Sequence, residues 1–102
     1  MKVRLTPEAE TDLEGIGDKI AERNAARAVT YVRELRERCL RVGDFPHAWP
    51  PRPQWGEGVR IAIHGKYVIV HRVREETVQI LRVVHGARDL DALFEEEPLP
   101  AE

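Results

Sequence analysis

Three apolar segments follow one another closely between residues 59 and 85, and they constrain the fold more than any other part of the chain. The first, VRIAIH at 59–64, alternates apolar and polar residues as a half-buried strand does. YVIVHRV at 67–73 and TVQILRVVH at 77–85 are nearly continuous apolar runs, as central strands are. Gly65-Lys66 fits a tight hairpin turn, and the next break is similarly short. Because such turns leave no room for a crossover, the sequence predicts antiparallel neighbours.

The residues before this meander predict one strand and two helices. KVRL at residues 2–5 alternates polar and apolar residues and suits a short first strand. Thr6 and Asn24 are placed as helix N-caps, Pro7 suits the first helical position, and Gly43 marks the end of the second helix. Apolar residues recur at steps of three and four along both helices, at Ala9, Leu13, Ile16 and Ile20 and then at Ala25, Ala28, Val32, Leu35, Cys39 and Val42.

These elements predict an α+β fold with the order β-α-α-β-β-β. A small, mainly antiparallel sheet should be covered on one face by an antiparallel helical hairpin, since the two helices have a short connection. We expect a single domain over residues 1–94 and a mobile acidic tail at 95–102. The loop between the helices and the meander is rich in proline, and we expect Trp49 and Trp55 to anchor it on the body, with stacking on a nucleobase as the alternative.

Charge and cysteine content narrow the functional classes. Residues 52–88 hold seven Lys/Arg and three Asp/Glu, whereas residues 89–102 hold six acids and no Lys/Arg. This split suggests an anionic partner, a tail that shields a basic surface, or a merely solvated surface.

The single cysteine excludes an internal disulfide. The histidines lack ligand spacing and no glycine-rich phosphate loop follows a strand, so we expect no metal and no cofactor. No apolar run is long enough to cross a membrane, and the expected compartment is the cytoplasm.

The face of the sheet opposite the helices is predicted to hold the polar side chains of the strands. If most of them share that face, they line a basic groove. RVVHGARDLDALFEEE at 82–97 is predicted to form the last strand, a turn and a short C-terminal helix. Arg82 and Arg88 have a structural interpretation as well, in which pairing with Asp89 or Asp91 pins this C-terminal segment. The residues available for the groove are Arg60, His64, Arg72, Arg82 and His85.

The chain resembles the ParE branch of the RelE/ParE toxin superfamily. The resemblance rests on LTPEAETDLEGIGDKIAERNAARAVTYVRELRERC, the loop that follows it, YVIVHRV and VQILRVVHGARDL, and it covers residues 3 to about 94. It implies the same fold and the toxin half of a bacterial type II toxin–antitoxin pair. It further implies a DNA-binding, ParD-like antitoxin that wraps the toxin, with operator DNA contacted only through that antitoxin and no membrane partner. ParE members act on DNA gyrase, whereas RelE members cleave mRNA in the ribosome.

The residues favour an inhibitor that acts by binding over a nuclease, and the resemblance to the ParE branch implies that its target is DNA gyrase. RNA cleavage needs a general base, a stabiliser of the charged phosphorane and a general acid, and none of the three strands carries a carboxylate. The sequence pI of about 6.1 also argues against tight binding to RNA. If the chain were an RNase, the catalytic candidates would be His85, Arg82, Arg60 and Lys66. The predicted target- or antitoxin-binding residues are Arg60, Arg72, Arg82, His85 and Arg88. A ribosome-dependent endonuclease, a non-toxic antitoxin-binding co-repressor and a plain interaction domain remain as alternatives.

Overall fold

The computed structural model describes residues 1–100, and it confirms the predicted order of elements. A seventh element, a short C-terminal helix, follows the meander. None of the described helices has the length and apolar character needed to cross a membrane. The elements are β1 (Lys2–Leu5), α1 (Pro7–Ala21), α2 (Ala25–Arg41), β2 (Val59–His64), β3 (Tyr67–Arg74), β4 (Thr77–His85) and α3 (Leu90–Glu96).

The four strands form one mixed sheet in the order β1-β4-β3-β2. β2, β3 and β4 are antiparallel neighbours joined by two-residue turns, as predicted, whereas β1 runs parallel to β4. A register shift between Val70 and His71 leaves Leu81 as an extra residue in β4. β1 pairs only with residues 77–80. The second half of β4 therefore has an edge that no strand covers.

The helical hairpin packs on one face of the sheet and encloses the first core. Thr6 and Asn24 cap the two helices as predicted, each accepting a hydrogen bond from a backbone N–H three residues on. Gly17 allows the close contact between the helices, because a Cβ there would lie 3.0 Å from Val32 Cγ2. The predicted apolar stripes supply this core, which contains Ala9, Leu13, Ile16, Leu35, Cys39, Val42, Ala62, Ile69, Val78, Ile80 and Val83.

A second core lies on the opposite face of the sheet, where polar side chains were predicted. α3 covers this face, and Trp55 packs edge-on against Phe94 with ring centroids 5.1 Å apart. Trp49 packs against the first core, so both tryptophans anchor the loop on the body. The prediction of an open polar face was wrong because a C-terminal helix covers it with apolar side chains. The second core contains Val59, Val68, Val70, Leu81, Val84, Leu93 and Phe94.

The chain stays in contact with the sheet beyond the predicted domain boundary. α3 continues to Glu96, and Leu99 packs against the second core. The Arg72 side chain donates a hydrogen bond of 2.9 Å to the carbonyl of Pro100. A division at residue 94 and a mobile tail remain predictions, and residues 101–102 lie outside the described part of the chain.

Side chains from the start of α1 satisfy the uncovered edge of β4. The Thr6 hydroxyl donates to the carbonyl of Leu81 at 2.9 Å, and the Asp12 carboxylate accepts from the N–H of Val83 at 2.9 Å. The same carboxylate pairs with both Nε and Nη2 of Arg82, at 2.7 and 3.0 Å. Because buried backbone groups without hydrogen-bond partners are costly, these side-chain contacts take the place of the hydrogen bonds that a longer β1 would make.

The Asp12–Arg82 pair is largely shielded from water, because its two side chains are only 13% and 12% exposed. The hydrogen bond to Asp12, opposed by burial, raises the pKa of Arg82. A second carboxylate, that of Glu97, lies 3.4 Å from Nη1 of the same arginine. The prediction that pairing with Asp89 or Asp91 holds the C-terminal segment was wrong, because Arg82 of β4 pairs with Asp12 of α1 instead.

We expect Asp12→Asn to destabilise the fold by about 2–3 kcal/mol, since it removes one partner of a shielded pair and leaves the guanidinium without its main acceptor. Urea unfolding followed by tryptophan fluorescence measures the change. Glu10→Gln is the matched control, because the Arg36–Glu10 pair is similarly bidentate but nearly half exposed, and it should cost under about 1 kcal/mol. Equal losses at the two sites would contradict the importance of the shielded pair.

Gly43 lies where the hairpin meets β1, and its small size allows that approach. It follows the C-cap residue Val42, as predicted, but without the left-handed backbone of many helix ends. A Cβ there would lie 2.5 Å from the carbonyl oxygen of Met1 and 2.6 Å from Val3 Cγ2. The N-terminal amine also donates a 2.8 Å hydrogen bond to the Gly43 carbonyl. Glycine is therefore needed for packing and not for a turn.

We expect Gly43→Ala to lower the free energy of unfolding by about 1–3 kcal/mol, because the added methyl group forces β1 away from the hairpin. The same denaturation measurement applies. Gly15→Ala is the control, since a Cβ at that helical position meets no atom within 4 Å and should stabilise α1 by up to about 1 kcal/mol. If the two variants were equally stable, the close approach of β1 would not limit residue 43.

Candidate functional site

A cleft lies between α1 and the uncovered part of β4. It has a volume of about 500 Å³, within the range of ligand-binding pockets. Its floor is apolar, His85 is half-buried at one end, and the exposed side chains of Lys19 and Arg88 stand on its rim. We call it the α1–β4 cleft, and its lining residues are Asp12, Gly15, Ile16, Lys19, Tyr67, Val83, Val84, His85 and Arg88.

A cluster of aromatic rings joins this cleft to α2. The rings of Tyr67 and His85 meet edge-on with centroids 5.5 Å apart. Tyr31 of α2 contacts Tyr67 and His64, at centroid distances of 6.0 and 6.1 Å, and the Arg27 guanidinium lies 5.0 Å from the Tyr31 ring. Neither tyrosine was among the predicted site residues. The pairing of residue 67 with residue 85 would have identified Tyr67, because directly paired residues share a face of the sheet.

His85 is held with one ring nitrogen already occupied. The N–H of Ala87 donates to Nδ1 at 3.1 Å, so a neutral ring carries its proton on Nε2. A ring in that tautomer donates from Nε2 and is not set up to accept a proton there. Burial, together with the neighbouring Tyr67, raises the pKa of Tyr31, which opposes formation of a phenolate. The Asp12 carboxylate is engaged by Arg82 and Val83. Among residues 1–100, the side chains that line the cleft therefore offer hydrogen-bond donors and positive charge but no free general base.

The predicted basic groove does not form, because its members lie on different faces of the sheet. Arg60, His64 and His85 belong to the face that the helical hairpin covers, as their pairing partners show. Arg72 and Arg82 belong to the opposite face, with Val59 and Val70. The expected grouping was wrong because Arg72 pairs with Val59 and Arg82 lies three residues from His85, so that alternation places both arginines on the face opposite the hairpin.

The remaining predicted residues are dispersed. Arg60 donates to the carbonyl of Trp49 and so holds the loop before β2. Lys66 is exposed in the turn between β2 and β3. Arg72 is 6% exposed, its Nε has no hydrogen-bond partner in the described part of the chain, and burial lowers its pKa. Of the predicted residues, only His85 and Arg88 meet in the α1–β4 cleft. Within residues 1–100, no three His, Cys, Asp or Glu side chains are arranged to hold a metal ion.

Comparisons with known proteins agree with this architecture. The family model for the ParE toxin of the type II toxin–antitoxin system parDE matches residues 3–90. The chain is also similar to a solved structure titled "Chromosomal ParDE TA system from P. aeruginosa", with a TM-score of 0.72 and 24% sequence identity over 83% of this chain and 95% of that one. At this identity the likeness shows the fold. A comparison with curated proteins found no match. The family model covers most of the sequence, and the chain therefore belongs to the ParE toxin family of type II toxin–antitoxin systems.

Proposed function

We propose that this toxin inhibits DNA gyrase by binding it, without chemistry of its own, and that a ParD-like antitoxin neutralises it in the cytoplasm. The observation that carries the proposal is that Asp12 and His85, two groups in the cleft that could accept a proton, are already engaged in hydrogen bonds. Asp12, the one carboxylate among the described residues that line the cleft, holds an arginine and a backbone N–H, and the Nδ1 atom of His85 is occupied. A surface with donors and cations but no free base suits binding better than proton transfer.

The four catalytic candidates do not converge on one point, which is a second argument for binding. Cleavage of RNA would require a base, an acid and a charge stabiliser around a single phosphate. Arg82 is committed to Asp12, and Arg60 is committed to the loop carbonyl of Trp49. Arg60 and Arg82 also lie on opposite faces of the sheet. The two arginines therefore cannot both stabilise one developing charge while the sheet is intact.

The rim of the α1–β4 cleft is the surface we expect a target or an antitoxin to use. Lys19 and Arg88 are exposed, and neither forms an ion pair within residues 1–100. Exposed cations around an apolar floor favour an anionic partner surface and accelerate its association. Operator DNA would then be reached through the antitoxin and not through this chain.

Paired assays on the purified toxin test the proposal: gyrase supercoiling of a plasmid, and mRNA cleavage on translating ribosomes. We expect inhibited supercoiling, intact mRNA, and restored supercoiling when the antitoxin encoded with the toxin is added. His85→Ala should weaken inhibition by less than about tenfold, as loss of one rim contact does, whereas a catalytic role would cost about a hundredfold or more.

The other outcomes point to the alternative functions. Cleaved mRNA that disappears with His85→Ala would make the chain a ribosome-dependent endonuclease and overturn the inhibitor proposal. If the chain neither inhibited supercoiling nor cleaved mRNA but still bound the antitoxin, it would be a non-toxic co-repressor. Arg36→Ala serves as the control variant, because its side chain pairs with Glu10 and does not line the cleft.

A further inference from the structure

A polar part of the sheet lies beside β1, on the face that α3 covers elsewhere. The apolar side chains of the second core come from β2, β3, the second half of β4 and α3. Toward β1 the same face becomes polar, because Arg72 pairs with Val59 of that core on one side and with Gln79 on the other. The polar side chains form two rows across β1, β4 and β3, which are Lys2, Thr77 and Arg74, and then Arg4, Gln79 and Arg72.

A pocket of about 250 Å³ lies over these rows, and we call it the arginine pocket. Its lining residues are Arg4, Arg74, Thr77 and Gln79. β4 lies between β1 and β3, so the backbones that carry the two arginines are on the order of 10 Å apart, or two strand spacings. Thr77 and Gln79 of β4 form a neutral floor between them. Because both arginines line the same pocket, both guanidinium groups can contact one bound anion.

The cations around this pocket include one that is buried. Lys2 and Arg4 are exposed, and neither forms an ion pair within residues 1–100. Arg72 is 6% exposed, donates to the Pro100 carbonyl, and pairs with no carboxylate in the same part of the chain. Because a buried cation without a counter-charge is costly, an anion bound beside it would stabilise this face of the sheet.

The lining favours a phosphate group as that anion. Guanidinium groups present their N–H donors in a fork that matches phosphate oxygens, and the floor adds a hydroxyl and an amide as further donors. Neither floor side chain forms a hydrogen bond within residues 1–100. The described lining residues include no aromatic or aliphatic side chain on which a base could stack. The pocket therefore suits a charged backbone. Glu75 and Glu76, in the turn after β3, restrict the basic area to a few phosphates.

We propose that the arginine pocket binds the phosphate backbone of the DNA on which gyrase acts. This inference rests on the proposed function, because contact through so few cations is weak and gyrase must supply the DNA at a high local concentration. Phosphate contacts position a protein on DNA without selecting a sequence. The arginine pocket shares no lining residue with the α1–β4 cleft, so the toxin has separate surfaces for the enzyme and for its DNA.

The first experiment measures DNA binding by the full-length toxin without gyrase. Fluorescence anisotropy follows a short, fluorescein-labelled DNA duplex of mixed sequence at increasing salt. We expect weak binding at low salt, and log K should fall against log [salt] with a slope of about −3, as for three or four phosphate contacts. Poly-L-glutamate should compete less well than unlabelled duplex, because a carboxylate offers fewer oxygens to the arginine forks.

Variants locate the binding on this face of the sheet. Lys2→Gln combined with Arg4→Gln should raise the Kd for the duplex about tenfold and make the slope less steep by about 2. Arg23→Gln combined with Arg33→Gln is the matched control, because it removes the same charge from exposed positions of the helical hairpin, and it should change the Kd less than about twofold. Circular dichroism and Tm establish that both variants fold.

The supercoiling assay then connects DNA binding to inhibition. The Lys2/Arg4 variant should need about fivefold more toxin for half-inhibition, whereas the control variant should match the wild type. If the Lys2/Arg4 variant lost inhibition but bound the duplex as the wild type does, the pocket would contact gyrase itself and the inference would be wrong.

Three results of the binding assay would also overturn the inference. They are no binding of the duplex at low salt, equal losses in the two double variants, and binding that appears only after removal of residues 101–102, which would make the chain itself the source of the anion. Inhibition of supercoiling by the wild-type toxin would leave the proposed function intact in each case. A toxin that bound the duplex but left supercoiling unchanged would instead contradict the proposed function, and with it the assignment to the DNA of gyrase.

Discussion

The carboxylate of Asp12 connects more of this structure than any other group. It accepts the N–H of Val83, pairs with two nitrogens of Arg82, and so joins the first helix to the edge of β4 where β1 has ended. Arg82 in turn lies within reach of Glu97, at the end of the C-terminal helix. A strand edge without partners would be solvated or would recruit another chain. Here the Asp12 side chain of α1 accepts a hydrogen bond from one N–H of that edge, and this contact fixes the position of the hairpin on the sheet.

Periodic features of the sequence were sufficient to predict most of the fold. The apolar steps of three and four in α1 and α2 identify the residues that face the sheet, because a helix returns to the same side at that spacing. The two short turns made the antiparallel meander unavoidable. The continuous apolar character of β3 and β4 correctly indicated strands buried on both faces. These signals are local, so each could be interpreted without knowing what the element would pack against.

Features that depend on distant residues could not be predicted in the same way. The partner of Arg82 is 70 residues away along the chain, whereas the sequence suggested the nearby Asp89 and Asp91. The register shift at Val70/His71 inserts Leu81 into β4, and alternation therefore does not carry through the strand. Arg82 and His85 lie three residues apart beyond this insertion, so they must face opposite sides of the sheet, but the insertion decides which of them faces the helical hairpin. Tyr31 was missed because only the tertiary structure places it beside His64, and Tyr67 was missed because the insertion of Leu81 decides which residue of β4 it faces.

The short length of β1 explains both the Asp12 contact and the cleft beside it. The N–H of Thr6 makes the last backbone hydrogen bond of this segment to β4, at Ile80, after which the Thr6 side chain caps α1 and Pro7 takes the first helical position. The strand must therefore stop at Leu5, and the chain turns back over the sheet as a helix. Asp12 satisfies part of the exposed edge, but it cannot reach as far as His85. The sequence that starts the first helix thus leaves the other end of the same edge uncovered, where the α1–β4 cleft lies.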